Sequence, residues 1–511
     1  MANSFTRKAN WLWQNAENLL IILFLATFTL NIRKVFLTPY SFLNRTFNEY
    51  MTMSFSWADA LMIAVIFIYT IKIIMSQSKH SSSNLSETSN GKTIKENNNV
   101  FMSIPRPICN ISRETYFLLL FIAWCFLSIV WSPYKPIAIY RCLTLLEILA
   151  FSFVIFKKLT ANNRFFRFSL VALAINGFIQ ALIGIIQFFY GRSIGLRFFG
   201  ESIVSREIPG VAKFIIDDMK HIRAYGTFPH PNIMAGFLII PLIIIFMEIL
   251  SRWKPELISL PTLPSAENKS EFVTRETSLS QISIFIIIVF LSTIGLGFIL
   301  TFSRSAFLGL FIIFLFISYK FVLSLKYKKA ISISFIVIII ALIGLTYSMN
   351  RNSSLFSDQS IRERASYTNV SREIILEHPL VGIGIGQFVL SEYRKNSTLE
   401  GWQYQPVHNI YLLITSELGI IGLALFLLFI TFLFLDQRKR VEDYLGLTYY
   451  FFCCIMFSFL IMALFDHFFW DIKMGTLIFS LVVIFIFLRN RNIVKSSSGT
   501  STNTSIPDKP N

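Results

Sequence analysis

The chain has 511 residues, 54% of them hydrophobic and only 15% charged, with a formal net charge of +17. So low a charged share excludes an ordinary soluble globular protein, in which about a quarter of residues are charged. The positive charge does not point to nucleic acid either, because Lys and Arg sit mainly in short loops between apolar blocks, the pattern of membrane topology.

The apolar blocks fix the predicted elements. Runs such as FLLLFIAWCFLSIVW from Phe117, FIIIVFLSTIGLGFILTF from Phe285 and LALFLLFITFLFL from Leu423 carry no charge. With their flanks they have the length that crosses a bilayer, about 17 to 25 residues. None shows the polar stripe at helical spacing that a soluble core helix carries. Counting such blocks predicts an all-α, polytopic integral membrane protein with about twelve transmembrane helices. Their centres fall near Phe24, Val65, Ile122, Leu149, Gly177, Ile240, Leu291, Ile312, Val337, Ala424, Met456 and Leu481. The first run lacks a small-residue cleavage site after it and is expected to be retained as a signal anchor.

With a cytoplasmic N-terminus, every second loop is cytoplasmic. The loops holding Lys157, Lys158, Arg164 and Arg167, then Lys326, Lys328 and Lys329, then Arg438, Lys439 and Arg440, and last Arg489, Arg491 and Lys495 all fall on that side. Both termini are then cytoplasmic. The chain divides into membrane helices at 1–190, interrupted by a Ser/Thr/Asn-rich and flexible cytoplasmic loop at 76–113, a region at 191–489, and a disordered cytoplasmic tail at 490–511. Two long loops, 191–231 and 350–408, lie outside and exceed ordinary connections, and loops of that size are where function sits. The cysteines Cys109, Cys125, Cys142, Cys453 and Cys454 lie in or beside apolar segments, without zinc-like spacing, and read as packing residues.

The first external loop ends in HIRAYGTFPHPNIMAGF, His221 to Phe237. Pro229 and Pro231 keep the segment from being helical, and Asn232 can cap the helix that follows. Arg223 is thereby held near a helix N-terminus, which already favours anions. The plain alternative is a loop arginine meeting lipid headgroups. In TFSRSAFLGL, Arg304 stands between two apolar helices with hardly any loop. A charge near hydrocarbon costs about 2.5 to 3.5 kcal/mol at a helix centre and less near an end, so Arg304 either snorkels or meets an anion.

The second external loop contains IRERASYTNVSREIILEHPLVGIGIGQF, Ile361 to Phe388. Ser371 to Glu377 reads as a short helix ended before Pro379, and Gly382, Gly384 and Gly386 form a turn whose N–H groups can approach a phosphate. Arg362, Arg364 and Arg372 offer forked donors for phosphate oxygens, unless the loop is simply basic and solvated. At its close, His408 and Asn409 lead directly into an apolar helix, and Glu417 follows about two turns later. A lone histidine is more often structural than catalytic. His408, however, combines a helix start at the membrane face with an arginine-rich loop, and a neutral imidazole can take a proton from a hydroxyl nucleophile. In the last external turn, Asp466, His467 and Asp471, like Asp217 and Asp218 earlier, make no convincing metal ligand set, and Asp466 can orient an arginine or histidine.

These residues resemble the bacterial O-antigen ligase and polymerase superfamily. The family pattern H-[N/S/Q]-x9-G-x-x-[G/T/Y] is matched by His408, Asn409, Gly419 and Gly422. Its R-x3-L element resembles Arg372 to Leu376, its GTF…PN entry segment Arg223 to Asn232, its T-x-SR helix start Thr301 to Arg304, and its P-x-x-G-x-G turn Pro379 to Gly384. His230 departs from the pattern, which usually has Asn there. The resemblance covers Arg223 to the last helix and makes 191–489 a ligase-like catalytic region. It implies a metal-independent, inverting glycosyltransferase of membrane-embedded class C type, without a cofactor, in the cytoplasmic (inner) membrane with its active site external. The implied donor is a polyprenyl-diphosphate-linked glycan and the acceptor a lipid, glycan or protein hydroxyl. Membrane lipids, and no nucleic acid, complete the expected partners. In this reading His408 is the catalytic base; Arg223, Arg304, Arg364 and Arg372 bind the donor diphosphate; Asn232, Asn409, Arg362, Glu417 and Asp466 support them. The rival reading is a multi-pass transporter or lipid flippase, which predicts ionisable residues at the bilayer midplane, where Glu147 is a candidate, and broken helices.

Overall fold

The computed structural model describes residues 2–87, 111–216, 219–253, 273–322, 358–435 and 444–488. Its helices are α1 (Ala2–Thr27), α2 (Trp57–Glu87), α3 (Arg113–Leu127), α4 (Lys135–Ala161), α5 (Asn163–Tyr190), α6 (Pro231–Trp253), α7 (Val273–Ile299), α8 (Arg304–Val322), α9 (Asp358–Glu377), α10 (Phe388–Lys395), α11 (Ile410–Leu435), α12 (Tyr444–Met462), the single turn α13 (Phe468–Asp471) and α14 (Lys473–Phe487). Eleven of the expected span centres fall in these helices, and Val337 lies outside the described residues. On length and composition, five helices can cross a membrane: Trp57–Ser78, Lys135–Ala161, Asn163–Tyr190, Pro231–Leu250 and Ile410–Leu435. Shorter apolar helices run over Ile284–Ile299, Arg304–Ser318, Thr448–Met462 and Lys473–Phe487. Twelve spans therefore stay an expectation.

The long helices of the bundle are apolar on every side. Phe24, Phe28, Phe151, Phe237, Phe451, Phe452 and Phe459 fill a continuous interior, while Phe67, Val130, Phe189 and Phe285 point outward and are exposed. A bundle with apolar residues inside and out suits a lipid surround. α3 lies along α11, α8 along α12, and α4 against both α2 and α14.

At one end of the bundle the connections interlock. Asn44 Nδ2 donates to Ser397 O at 2.6 Å, Asn48 Nδ2 to Gly401 O at 2.7 Å, and Tyr140 Oη to Ser54 O at 3.1 Å. At the other end the buried Glu17 carboxylate is paired with Lys72 and with Lys158. The candidate functional site lies at the interlocked end.

Three expectations change. The fold is not purely helical: two-stranded antiparallel ribbons join β1 (Arg33–Phe36) to β4 (Met53–Ser56), β2 (Phe42–Leu43) to β3 (Thr46–Phe47), and β5 (Lys213–Ile216) to β6 (Met219–Ile222). α2 continues to Glu87, past Ser76 where a flexible stretch was expected, because no Gly or Pro interrupts Ser76 to Glu87. The rest of that stretch, 88–110, and the tail lie outside the described residues. The short helix expected from Ser371 begins instead at Asp358, since Tyr367, Ser371 and Ile374 recur at helical spacing and bury one face.

Candidate active site

The β5–β6 hairpin delivers the chain to Arg223, the residue after Ile222, which pairs with Lys213. Arg223 donates from Nε to Thr301 O at 2.5 Å and from Nη2 to Asn232 Oδ1 at 2.6 Å. Asn232 Nδ2 donates onward to Asp466 Oδ2 at 2.6 Å, and Asp466 Oδ1 accepts the His467 backbone N–H at 2.9 Å. Elements far apart in sequence are thus tied through one amide.

Asn232 is therefore not the helix cap expected from its position. α6 begins with Pro231, and His230 does the capping: its carbonyl accepts Ile233 N at 3.1 Å and its Nδ1 accepts Asn232 N–H at 3.2 Å. Burial and the Arg223 charge hold the His230 imidazole well below its usual titration range, so it is neutral and able to accept. The residue that departs from the family pattern supplies the cap and leaves the Asn232 side chain free to bridge.

His467 Nδ1 lies 2.9 Å from Asp471 Oδ1, and both side chains are buried. The His408 ring meets His467 edge to face, with centroids 4.9 Å apart and planes at 90°. On another side Tyr367 stacks on His408 with planes within 10°, while its hydroxyl donates to Gln403 O at 2.7 Å. Tyr50 packs on His467, with ring centroids 5.7 Å apart. Among the described residues the buried His408 Nδ1 has no hydrogen-bond partner. Asn409 caps α11 by accepting Leu412 N–H at 3.0 Å, and its Nδ2 donates to Leu464 O at 3.2 Å. These two bonds hold His408 at the mouth of the bundle.

Three of the arginines act on a common set of groups. The Arg364 charge lowers the proton affinity of Arg223, His230, His408 and His467, and it also acts on Arg304. Arg364 is exposed and lies on α9 three residues before Tyr367 and seven before Ser371, on the face those residues bury. Arg304 opens α8, just after the turn at Phe302, whose φ is +47°. Arg362 and Arg372 are exposed on other faces of α9, so the structure does not bring the Arg372 to Leu376 element into the cluster. Burial first, then the Arg304 and Arg364 charges, lowers Arg223 to about 10, which leaves it cationic at neutral pH.

The histidines divide. Burial, the His467 charge and Arg364 push His408 well down against the pull of Asp466. Burial disfavours a charged His467 too, but Asp471 and Asp466 outweigh it and raise His467. Burial works to raise Asp466, and the three histidines with the Asn232 amide hold it below the usual carboxylate range.

Two supporting expectations fail. The glycine-rich turn is not a phosphate cradle, because its N–H groups are already engaged. α11 breaks at Gly419, at φ 67° and ψ −175°, and the freed carbonyls of Ser416 and Glu417 accept Ile383 N–H at 3.0 Å and Gly384 N–H at 2.7 Å. Ile385 N–H donates to Ser128 Oγ at 3.2 Å. Glu417 is not at the arginine cluster either: its carboxylate accepts Trp470 Nε1 at 3.0 Å and faces the backbone of Gly386 and Phe388. Both serve the broken helix. Glu147, the midplane candidate, is paired with Lys473, which also contacts Asp59.

Among the described residues no group of three or more His, Cys, Asp and Glu is arranged to hold a metal ion, and Asp217 and Asp218 lie outside them. The His467–Asp471 pair and Tyr367 are the site features that sequence reasoning missed. The i, i+4 spacing of His467 and Asp471 was a signal for the first, and nothing short of the fold marked Tyr367.

Two cavities adjoin the site. A polar one of about 90 Å³ is lined by Arg33, Tyr50, Tyr140, Arg141, Asp471 and Lys473 among others. An apolar one of about 380 Å³ runs between α3, α4, α11 and α14, from Ile410 and Trp470 to Lys157 and Phe487.

Comparison with known proteins gives one family match. The family model described as O-antigen ligase matches residues 287–427, which run from α7 through the broken part of α11 and contain Arg304, Arg364 and His408. The match over this region supports the O-antigen ligase and polymerase superfamily, and with it a membrane protein and, in general terms, an O-antigen-ligase-type function in glycan transfer. No curated protein matches the chain.

Proposed function

We propose that the protein transfers or polymerises glycan from a polyprenyl-diphosphate-linked donor onto an acceptor hydroxyl, on the external face of the cytoplasmic membrane, with inversion and without a metal. The observation that carries this reading is the grouping of Arg223 with Arg304 and Arg364, tied through Asn232 and Asp466 and through Arg364 to His408 at the mouth of an apolar bundle.

The chemistry follows from the charges. A diphosphate leaving group carries its own negative charge, so it needs cations and not a proton. Arg223, Arg304 and Arg364 neutralise the oxygen that receives the electron pair as the bond from the anomeric carbon breaks. The acceptor oxygen attacks from the opposite side of the sugar, and its proton passes to His408. Without donor, burial first and then the His467 and Arg364 charges make His408 a weak base. A bound dianion offsets those cations and raises its proton affinity, so the donor strengthens the base that consumes it. The apolar cavity beginning at Ile410, two residues after His408, suits a prenyl chain.

A transporter would find support in the break of α11. The break is filled, however, by the Gly382–Gly386 turn, which hydrogen-bonds the freed carbonyls and leaves them unavailable to an ion.

The test is transfer from a polyprenyl-diphosphate glycan in membranes by the wild type and by His408→Ala, with and without chelator. Loss in the variant and indifference to chelator are expected. Full activity in the variant removes the base; strict metal dependence removes the metal-free mechanism. A cysteine at the exposed Ser397 is expected to label from outside, and labelling only from the cytoplasm reverses the topology.

A further inference from the structure

The arginine cluster accounts for the leaving group and His408 for the proton, but neither accounts for His467. This histidine is buried and adds a third imidazole to a site already rich in cations. Burying it beside Asp466 and Asp471 is costly unless the charge is used or the fold requires it.

Its contacts are directional. Asp471 Oδ1 holds His467 Nδ1 at 2.9 Å, Asp466 Oδ1 accepts its backbone N–H at 2.9 Å, and Tyr50 packs on its ring. What remains of the ring meets His408 at 90° and 4.9 Å between centroids, while Tyr367 stacks on His408 nearly in plane. His408 is thus set between an aromatic face and a second imidazole. Among the described residues nothing hydrogen-bonds its buried Nδ1, so no histidine–carboxylate pair forms through that nitrogen. The carboxylate stands one imidazole further away.

We infer that His467, held by Asp471, is a positioning residue for His408: it fixes the His408 ring edge to face, with Tyr367 stacked on the other side, and sets the charge environment of that ring from the adjacent position. This rests on the proposed role of His408 and deepens it.

Among the described residues His408 faces Tyr367, His467, Asp466, Arg364 and His230, and His467 faces His408, His230, Asp471, Asp466, Arg364 and Tyr50. Arg364 and His230 act on His408 from α9 and from the start of α6, so they persist when His467 is changed. Asp466 pulls the other way. Removing the His467 charge leaves Asp466 opposed by fewer cations, and His408 then gains protons at a higher pH.

The readout is the pH profile of transfer by the full chain in membranes, from about pH 5 to about pH 8, for the wild type, His467→Gln and Asp471→Asn. In the wild type kcat/KM, which reports the donor-free enzyme, stays level toward acid when normalised to neutral pH, and the rates compared are kcat/KM throughout. In both variants an acid limb enters this range, and the rate near pH 5.5 falls about threefold or more relative to that near pH 7.5. A merely structural loss lowers the rate equally at every pH, and normalised profiles that superimpose on the wild type overturn the inference.

Should a variant be folded but inactive, diethyl pyrocarbonate, which modifies neutral imidazole, reads the same property. The modification that disappears in a His408→Ala background is expected to show a higher midpoint in the variants, and an unchanged midpoint overturns the inference. His408→Ala alone separates the two levels. If it stays active, the proposed function fails whatever the profiles show; if it is inactive while the profiles superimpose, only the role of His467 fails.

Discussion

The side-chain amide of Asn232 donates to Asp466 Oδ2 at 2.6 Å across 234 positions of sequence, and its oxygen accepts Arg223 at the same distance. One amide therefore fixes a cation on one side and an anion on the other, with neither charge facing hydrocarbon unpaired. Asn232→Ala leaves both buried groups without this partner. Because hydrogen bonds to charged groups contribute about 1.5 to 3 kcal/mol, transfer is expected to fall about 10- to 100-fold in kcat/KM. Arg223→Lys is expected to lose activity as well, since the Nε and Nη2 contacts need a fork that an ammonium cannot supply. Steady-state assays of the two variants check this, and a wild-type rate in Asn232→Ala contradicts the bridge.

Arg364 and Arg372 lie on one helix and differ in direction. The Arg364 charge reaches the histidines and Arg223, whereas Arg372 is exposed on another face. Arg364→Ala is expected to weaken donor use by about 100-fold, in line with loss of a charge at the transition state. Arg372→Ala is expected to stay within about threefold, as exposed charges contribute little. The reverse order would assign the diphosphate to the Arg372 to Leu376 element.

The turn that seals α11 has little tolerance. Gly382 sits at φ +67°, and a Cβ there would overlap the Glu417 carbonyl. Gly382→Ala combines left-handed strain with that overlap, so a loss of about 2 kcal/mol or more is expected, seen as a lower Tm of the purified protein in detergent. An unchanged Tm would mean that the turn is not clamped to the break.

Glu392, buried in α10, gives a prediction of pH dependence. Burial raises its carboxyl to about 8, against the N–H of Gln405 that it accepts, and one oxygen has no partner. The folded state therefore binds a proton that the unfolded chain releases near 4.5. Stability falls as pH rises between those two values and levels off above the folded one. Glu392→Gln removes this dependence, so its Tm advantage is expected to grow from about pH 5 to about pH 8 and then stay constant, as a thermal-melt series would show.

Much of the frame was legible because bilayer crossing imposes a long, charge-free run, as in Phe285 to Phe302. His408 and Asn409 were legible for a similar reason, a polar pair placed directly before an apolar helix. What stayed hidden depends on contacts between distant segments. Asn232 had the composition of a cap, yet His230 took that task and freed it to bridge. Gly382, Gly384 and Gly386 had the composition of an anion nest, but the break at Gly419 claims their N–H groups, and local sequence does not show which carbonyls another helix will free. Among Arg362, Arg364 and Arg372, only the length of α9 decided which one faces the site, because a helix read as starting at Ser371 gives Arg364 no direction.

The central claim is a division of labour between arginines that hold the diphosphate and a histidine that takes the acceptor's proton. It is tested most directly by measuring donor binding and transfer separately, in membranes containing the His408→Ala chain and a polyprenyl-diphosphate glycan. The account predicts binding within about twofold of the wild type and transfer reduced by about 100-fold or more, the range of a lost general base. Transfer at the wild-type rate would contradict it.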